Sequence, residues 1–129
     1  MRRLPVPVAV LLAAALLAAA GCGAAATPVP VAPVGGVLSI RVDQLAPGAT
    51  EFQWKPDSLA LAAGRAVTLR IANADYMQHN FTFKPAKVAK NLPVDATTTI
   101  ELTAPAKPGV YTFYCKYHLQ MMEGAVTVR

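Results

Sequence analysis

Short runs of alternating apolar and polar residues follow one another along this chain from residue 37 to its end. A period of two residues is typical of β-strands with one buried and one exposed face. Clusters of Pro, Gly, Asn and Asp separate the runs, as expected for turns between strands. The pattern predicts seven or eight short strands, at Val37–Val42, Phe52–Trp54, Ser58–Leu61, Val67–Ala72, Asn80–Phe83, Thr97–Leu102, Gly109–Tyr114 and Ala125–Arg129.

The spacing of these strands indicates the fold class. Short strands separated by turn residues, without a long helical period, are typical of an all-β antiparallel Greek-key sandwich or barrel. The segment 84–95, which contains Pro85 and Pro93, predicts a longer connection with room for a helical turn. We expect one domain over 37–129, which is enough chain for one small core.

The first 36 residues differ from this domain in composition. Two arginines follow Met1, and an apolar Ala/Leu-rich run extends from Leu4 to Ala20. This order is typical of a secretory signal peptide, here residues 1–21, and the apolar run is short for a membrane span. Residues 22–36 are mostly Ala, Pro, Val and Gly without charge, which predicts an extended tether.

Cys22 lies where such a signal would be cleaved. The sequence Ala19–Cys22 resembles a bacterial lipobox, in which the cysteine becomes the lipid-bearing N-terminus, and ordinary signal cleavage is the alternative. One acyl anchor would hold the exported domain at a membrane, in the periplasm or at the cell surface.

The charge of the chain is only mildly positive. Without Arg2 and Arg3, ten of its twelve basic residues remain, against seven acidic ones. The basic residues are scattered and no aromatic-basic pattern appears, so we expect no binding of nucleic acid. We also expect a monomer. The densest basic group, Lys84 to Lys90, is either a solvated loop or a docking patch for an acidic redox partner.

Cys115 is the only cysteine besides Cys22. A leftover thiol in an exported protein pairs with another chain, stays reactive or binds a metal. Because free thiols persist poorly in oxidising compartments, a metal is the better explanation. A disulfide between the two cysteines is the alternative.

The residues around Cys115 define the candidate metal. His118, Met121 and Met122 follow it within one turn, and the only other histidine is His79. One Cys, two His and one Met is the ligand set of a mononuclear copper electron-transfer site. Zinc would prefer a set without thioether, and an iron–sulfur cluster needs about four cysteines. If the two strand junctions lie at the same end of the sandwich, these donors meet there.

Three short motifs resemble the blue copper proteins of the cupredoxin family. They are His79–Asn80, Tyr114–His118 and Met122–Gly124, and the resemblance extends over 37–129. It implies one copper ion bound by His79, Cys115, His118 and a methionine. Counting back from the glycine favours Met122, whereas another spacing known in the family selects Met121.

The resemblance also implies roles for residues around the ligands. Asn80 would tie the His79 loop to the Cys115 loop, with its backbone N–H donating to the sulfur. An apolar patch at the edge of His118 would dock redox proteins transiently, with ordinary loop packing as the alternative. The patch residues are Met77, Tyr117, Leu119 and Met121.

These features predict a one-electron carrier that is not an enzyme. The main alternative is a copper storage or delivery protein. Proteins of that kind tend to carry several Met and His in open segments, whereas this chain has one compact turn with four candidate ligands.

Overall fold

The computed structural model describes residues 27, 29–44, 46–49 and 51–129. The predicted signal peptide and Cys22 lie outside these residues. The described part contains nine strands and one short 3₁₀ turn, Lys84–Ala86. The strands are β1 Val37–Gln44, β2 Phe52–Lys55, β3 Ser58–Leu61, β4 Ala66–Asn73, β5 His79–Phe83, β6 Val88–Leu92, β7 Ala96–Thr103, β8 Gly109–Tyr114 and β9 Glu123–Val128.

The strands form two sheets packed as a sandwich. One sheet has the order β2-β1-β4-β7 and the other the order β3-β9-β8-β5-β6. Alternate residues of β1 and β4 are buried, as the period of two predicts. The core between the sheets is closed by Trp54, Phe81 and Phe113, whose ring centroids lie 5.2 to 5.9 Å apart. Such offset and edge-to-face contacts stabilise aromatic cores beyond the area they bury.

The predicted β-sandwich is therefore confirmed, but it is not purely antiparallel. β1 pairs with β4 in parallel, and β3 pairs with β9 in parallel. The chain passes from β2 to β3 in the other sheet before β4 returns beside β1, and such a crossover permits parallel neighbours. Periodicity reports which face of a strand is buried, but not the direction of its partner.

The segment 84–95 also differs from the prediction. It begins with the expected helical turn, but Val88–Leu92 forms β6 at the edge of the second sheet. Of these five residues only Leu92 is buried, and Lys90 is exposed. Edge strands often carry lysine because it opposes pairing with other chains, so the apolar alternation that identifies a strand is missing here.

Part of the predicted tether lies against the sandwich. Val31 pairs in parallel with Leu59 of β3, through hydrogen bonds of 2.9 and 2.8 Å with Ser58 and Ala60. Val34 and Val37 form a second isolated bridge. Among the described residues, no helix has the length and apolar character needed to cross a membrane.

Gly124 in β9 packs directly against the core. A Cβ at this position would overlap the Phe113 ring and lie 2.7 Å from the carbonyl oxygen of Asp57. Overpacking of this kind destabilises a core by about 1–3 kcal/mol. We therefore expect Gly124→Ala to lower the free energy of unfolding of the metal-free protein by about that amount, measured by urea titration.

A double-mutant cycle supplies the control. Phe113→Leu shortens the side chain that the new methyl group meets, so the same Gly124→Ala change should destabilise less in that background. Equal destabilisation in both backgrounds would show that the Phe113 ring is not the reason for glycine at this position.

Candidate metal centre

Three side chains that could bind a metal ion meet at one end of the sandwich. His79 is the first residue of β5, Cys115 directly follows β8, and His118 lies in the turn between β8 and β9. One donor atom from each lies within 4.8 Å of the others. The Cys115 sulfur is 3.9 Å from His79 Nδ1 and 3.6 Å from His118 Nδ1. These separations suit one ion with metal–nitrogen and metal–sulfur bonds of about 2.0 and 2.3 Å, the values known for zinc.

Backbone hydrogen bonds fix the turn that carries two of these donors. The Cys115 N–H donates to the Met122 carbonyl at 3.0 Å, which closes the turn where β8 and β9 begin to pair. Inside it, the His118 N–H donates to the Cys115 carbonyl at 3.2 Å and the Met122 N–H to the His118 carbonyl at 3.0 Å. These three hydrogen bonds hold the backbone from Cys115 to Met122 in one compact turn.

The Cys115 sulfur is fully buried and accepts a hydrogen bond from the Asn80 backbone N–H at 3.3 Å. The Asn80 side chain is itself held at both ends. Its Nδ2 donates to Asn91 Oδ1 at 3.2 Å, and its Oδ1 accepts a hydrogen bond from the Thr82 hydroxyl. The structure thus joins the loop of His79 to the loop of Cys115 at the sulfur atom.

His79 has a buried acidic partner. Its Nε2 lies 2.7 Å from Asp75 Oδ2, and both side chains are inaccessible to solvent. The second carboxylate oxygen of Asp75 accepts the Tyr76 N–H at 2.7 Å. The aspartate thus holds the ring nitrogen that points away from Cys115.

Asn73, the last residue of β4, organises the loop that presents Asp75. Its Oδ1 accepts the Asp75 N–H at 3.1 Å, an arrangement typical of asparagine in turns. Its Nδ2 donates to the carbonyls of Met77 and Leu92 at 2.8 and 2.9 Å. The loop is therefore tied to both β4 and β6.

Phe52 of β2 forms an aromatic wall beside the two histidines. Its ring centroid is 4.9 Å from that of His79 and 4.8 Å from that of His118, and the two imidazoles are 4.9 Å apart. Only 5% of Phe52 is exposed, so it limits the access of water to the site.

Burial and hydrogen bonding act in opposite directions on two of the donors. Burial raises the pKa of Cys115, but hydrogen bonds from His79 and from backbone N–H groups outweigh it, so the pKa falls below the ordinary 9.0. Burial lowers the pKa of His79, but Cys115 and Asp75 raise it more strongly, to above 6.5. For His118, burial and then repulsion by a charged His79 lower the pKa. The site thus favours the thiolate and a neutral His118, the forms that bind metal, whereas His79 holds its proton more readily and has to lose it when a metal binds.

The two candidate methionines differ in burial. Met122 is 1% exposed and belongs to the core cluster that includes Cys115, whereas Met121 is 52% exposed. Thiolate and thioether suit Cu(I), and imidazole suits Cu(II). The buried donors together with His118 therefore fit one copper ion.

The predicted docking residues lie at the surface. Met77, Tyr117, Leu119 and Met121 are all exposed large apolar side chains in loops near the ligands. Tyr76, which is not among the predicted docking residues, is also exposed. The lysines from Lys84 to Lys90 are exposed as well, with Lys84 Nζ 5.7 Å from the centre of the Tyr114 ring.

Two residues that touch the ligands were not identified from the sequence. Asp75 lies outside the predicted strands and motifs, four residues before His79. Phe52 was interpreted only as part of a short strand. The Asp-x₃-His spacing is a weak signal alone, and the contact of Phe52 depends on how the sheets pack.

Comparison with solved structures shows the same fold. The metal-binding domain, with Cu(I), of a Cu(I)-exporting P-type ATPase from Streptococcus pneumoniae has a TM-score of 0.59 at 20% identity, covering 81% of this chain and 99% of that chain. Auracyanin A, a blue copper protein from Chloroflexus aurantiacus, has a TM-score of 0.55 at 19% identity, covering 73% and 100%. A laccase-like multicopper oxidase from an Ochrobactrum species has a TM-score of 0.60 at 14% identity, covering 79% and 29%.

Sequence comparison adds the family. No curated protein sequence matches the chain. The family model of the cupredoxin-like domain, however, matches residues 9–128, which is nearly the whole chain. The two-sheet sandwich and the donor residues at its end agree with this match. The chain belongs to the cupredoxin-like domain family.

Proposed function

We propose that this chain is an exported type 1 copper protein that carries single electrons between redox proteins. The observation that supports this most strongly is the buried Cys115 sulfur placed between His79 and His118, with donor atoms within 4.8 Å of one another. Two imidazoles and a thiolate, with a weak axial thioether, serve both oxidation states of copper. A bound copper ion would supply the one-electron exchange between Cu(II) and Cu(I).

The chain's own residues hold the donors in place while the charge changes. Cys115 and His118 are fixed by the backbone hydrogen bonds of their turn, and His79 is fixed by Asp75. Donors that keep their positions need little rearrangement between oxidation states. Fast electron exchange follows from that rigidity, which is what a carrier requires.

We assign the axial position to Met122. It is buried beside Cys115 in the core cluster, and its backbone closes the ligand turn. Met121 is half exposed and its backbone N–H bonds to the His118 carbonyl at 3.2 Å. A thioether in the core is better shielded from water than one at the surface.

His118 is the proposed point of electron exit. His79, Cys115 and Met122 are at most 1% exposed, while His118 is partly exposed. A substrate molecule therefore has little direct access to the metal, which favours a carrier over an enzyme. The exposed apolar residues Met77, Tyr117, Leu119 and Met121 are the proposed surface for transient docking of redox partners.

We further propose that the domain works outside the cytoplasmic membrane, as a monomer. The proposed location rests on the signal-like residues 1–21 and on Cys22 as the candidate lipid anchor, followed by the uncharged segment to residue 36. A lipid-held domain could meet membrane-bound redox complexes repeatedly, which suits a shuttle.

The visible spectrum of the full chain tests the function. After addition of Cu(II) we expect an intense blue band from thiolate-to-copper charge transfer, lost on reduction and recovered on reoxidation. The control is Cys115→Ser, which keeps the size of the side chain but removes the thiolate and should remove the band. A pale spectrum in the unmodified chain, or binding without reversible reduction, would contradict the carrier and favour copper storage or delivery.

A matched pair of variants tests the axial assignment. Met122→Leu conserves volume but removes a donor atom, and the loss of a donor in an apolar site destabilises the divalent Cu(II) ion more than the monovalent Cu(I) ion. We expect its reduction potential to rise by about 59 mV or more, which is a tenfold change in the ratio of Cu(II) to Cu(I) affinity. Met121→Leu should leave the potential unchanged. The reverse result, measured by voltammetry, would assign the axial position to Met121.

A further inference from the structure

We infer that Asp75 is a positioning residue that fixes the tautomer of His79 and stabilises the oxidised form of the metal centre. The inference rests on the proposed function, because it requires copper at His79. It concerns a buried carboxylate that is not among the predicted ligands. The role is inferred from the negative charge of this carboxylate and from its hydrogen bonds to His79 and Tyr76.

The geometry selects one tautomer of His79. A neutral imidazole carries one N–H, and Nε2 lies 2.7 Å from Asp75 Oδ2. With the proton on Nε2, that nitrogen donates to the carboxylate and the lone pair of Nδ1 faces Cys115. The other tautomer would place a lone pair against the carboxylate and a proton on the atom that must bind the metal. Carboxylate partners of this kind orient histidine ligands and raise their basicity.

The carboxylate itself has little freedom to turn. Its Oδ1 accepts the Tyr76 N–H at 2.7 Å, while Oδ2 contacts His79. The backbone of Asp75 is held by Asn73 Oδ1 at 3.1 Å. Because Asn73 also bonds to the Met77 and Leu92 carbonyls, the orientation of His79 is set from β4 and β6 as well as from β5.

The charge of Asp75 distinguishes the two oxidation states. Its side chain is inaccessible to solvent, and within the described residues the only ion pair it makes is with His79. With the Cys115 thiolate and the Asp75 carboxylate, a divalent ion gives a centre of zero net charge and a monovalent ion gives −1. Without the carboxylate these values are +1 and 0. Buried net charge is unfavourable, so Asp75 favours the divalent state.

The two histidines are therefore not equivalent. His79 is buried against a carboxylate, whereas His118 is partly exposed and its ring lies against Phe52, His79 and Cys115. His79 connects the site to the charge of Asp75, and His118 faces the proposed redox partner. The division of roles follows from the burial of each ring.

The test is Asp75→Asn in the copper-loaded full chain. The change is isosteric and removes the charge, and loss of such a partner typically lowers metal affinity by 10–100-fold. Removal of the negative charge should weaken the binding of Cu(II) more than that of Cu(I). We therefore expect the ratio of Cu(II) affinity to Cu(I) affinity to fall by about tenfold, which raises the reduction potential by about 59 mV. The control is Asp95→Asn, which removes one charge from an exposed turn residue with φ 51, where asparagine is well tolerated.

A second readout does not depend on the variant folding. In the diamagnetic Cu(I) form of the unmodified chain, nitrogen NMR should find the His79 proton on Nε2, with slow solvent exchange because the site is buried and hydrogen-bonded. A third variant, Asp75→Glu, keeps the charge, so its reduction potential should lie closer to that of the unmodified chain than to that of Asp75→Asn.

The outcomes separate the two claims. The role of Asp75 is overturned if Asp75→Asn keeps the blue band and an unchanged reduction potential. It is also overturned if the Nε2 proton of the unmodified chain exchanges fast with solvent. In both cases the proposed function stands. Absence of the blue band from the unmodified chain overturns the proposed function, and the role of Asp75 with it.

Discussion

The hydrogen bond from the Asn80 backbone N–H to the Cys115 sulfur is the contact on which the rest of the centre depends. It joins residues 35 positions apart in the sequence at 3.3 Å. The contact exists because β5 and β8 lie side by side, with Thr82 paired to Tyr114, so the start of one strand meets the end of the other. Sheet pairing therefore places His79 beside Cys115, and the short turn after Cys115 adds His118.

The sandwich also controls how the centre meets solvent. Phe52 shields both imidazoles on one side, and Asp75 occupies the far side of His79. Only His118 is partly exposed, and the exposed apolar residues of the neighbouring loops lie at the same end of the molecule. Under the proposed function, a buried thiolate, a buried charge partner and one partly exposed ligand suit a carrier of single electrons.

The candidate donors were predictable from the sequence because their residue types are rare and three of them lie in one short turn. His79 is one of two histidines, and Cys115 and His118 lie three residues apart. Strand positions were predictable where one face is buried, and β6 was missed because only Leu92 of its five residues is buried. The parallel pairings and the contacts of Asp75 depend on which strands become neighbours, and a local pattern does not contain that information. The spacing left two methionines open, and the fold separates them by burying one.

The central claim is that the fold holds the metal-binding atoms in place before the metal arrives. The most direct test is to compare crystal structures of the metal-free, Cu(II) and Cu(I) forms of the full chain. We expect the positions of His79 Nδ1, Cys115 Sγ and His118 Nδ1 to differ between the three structures by no more than about 0.5 Å, the tolerance typical of preorganised sites. A ligand turn that refolds, or a His79 ring that leaves Asp75 when the metal binds, would contradict it.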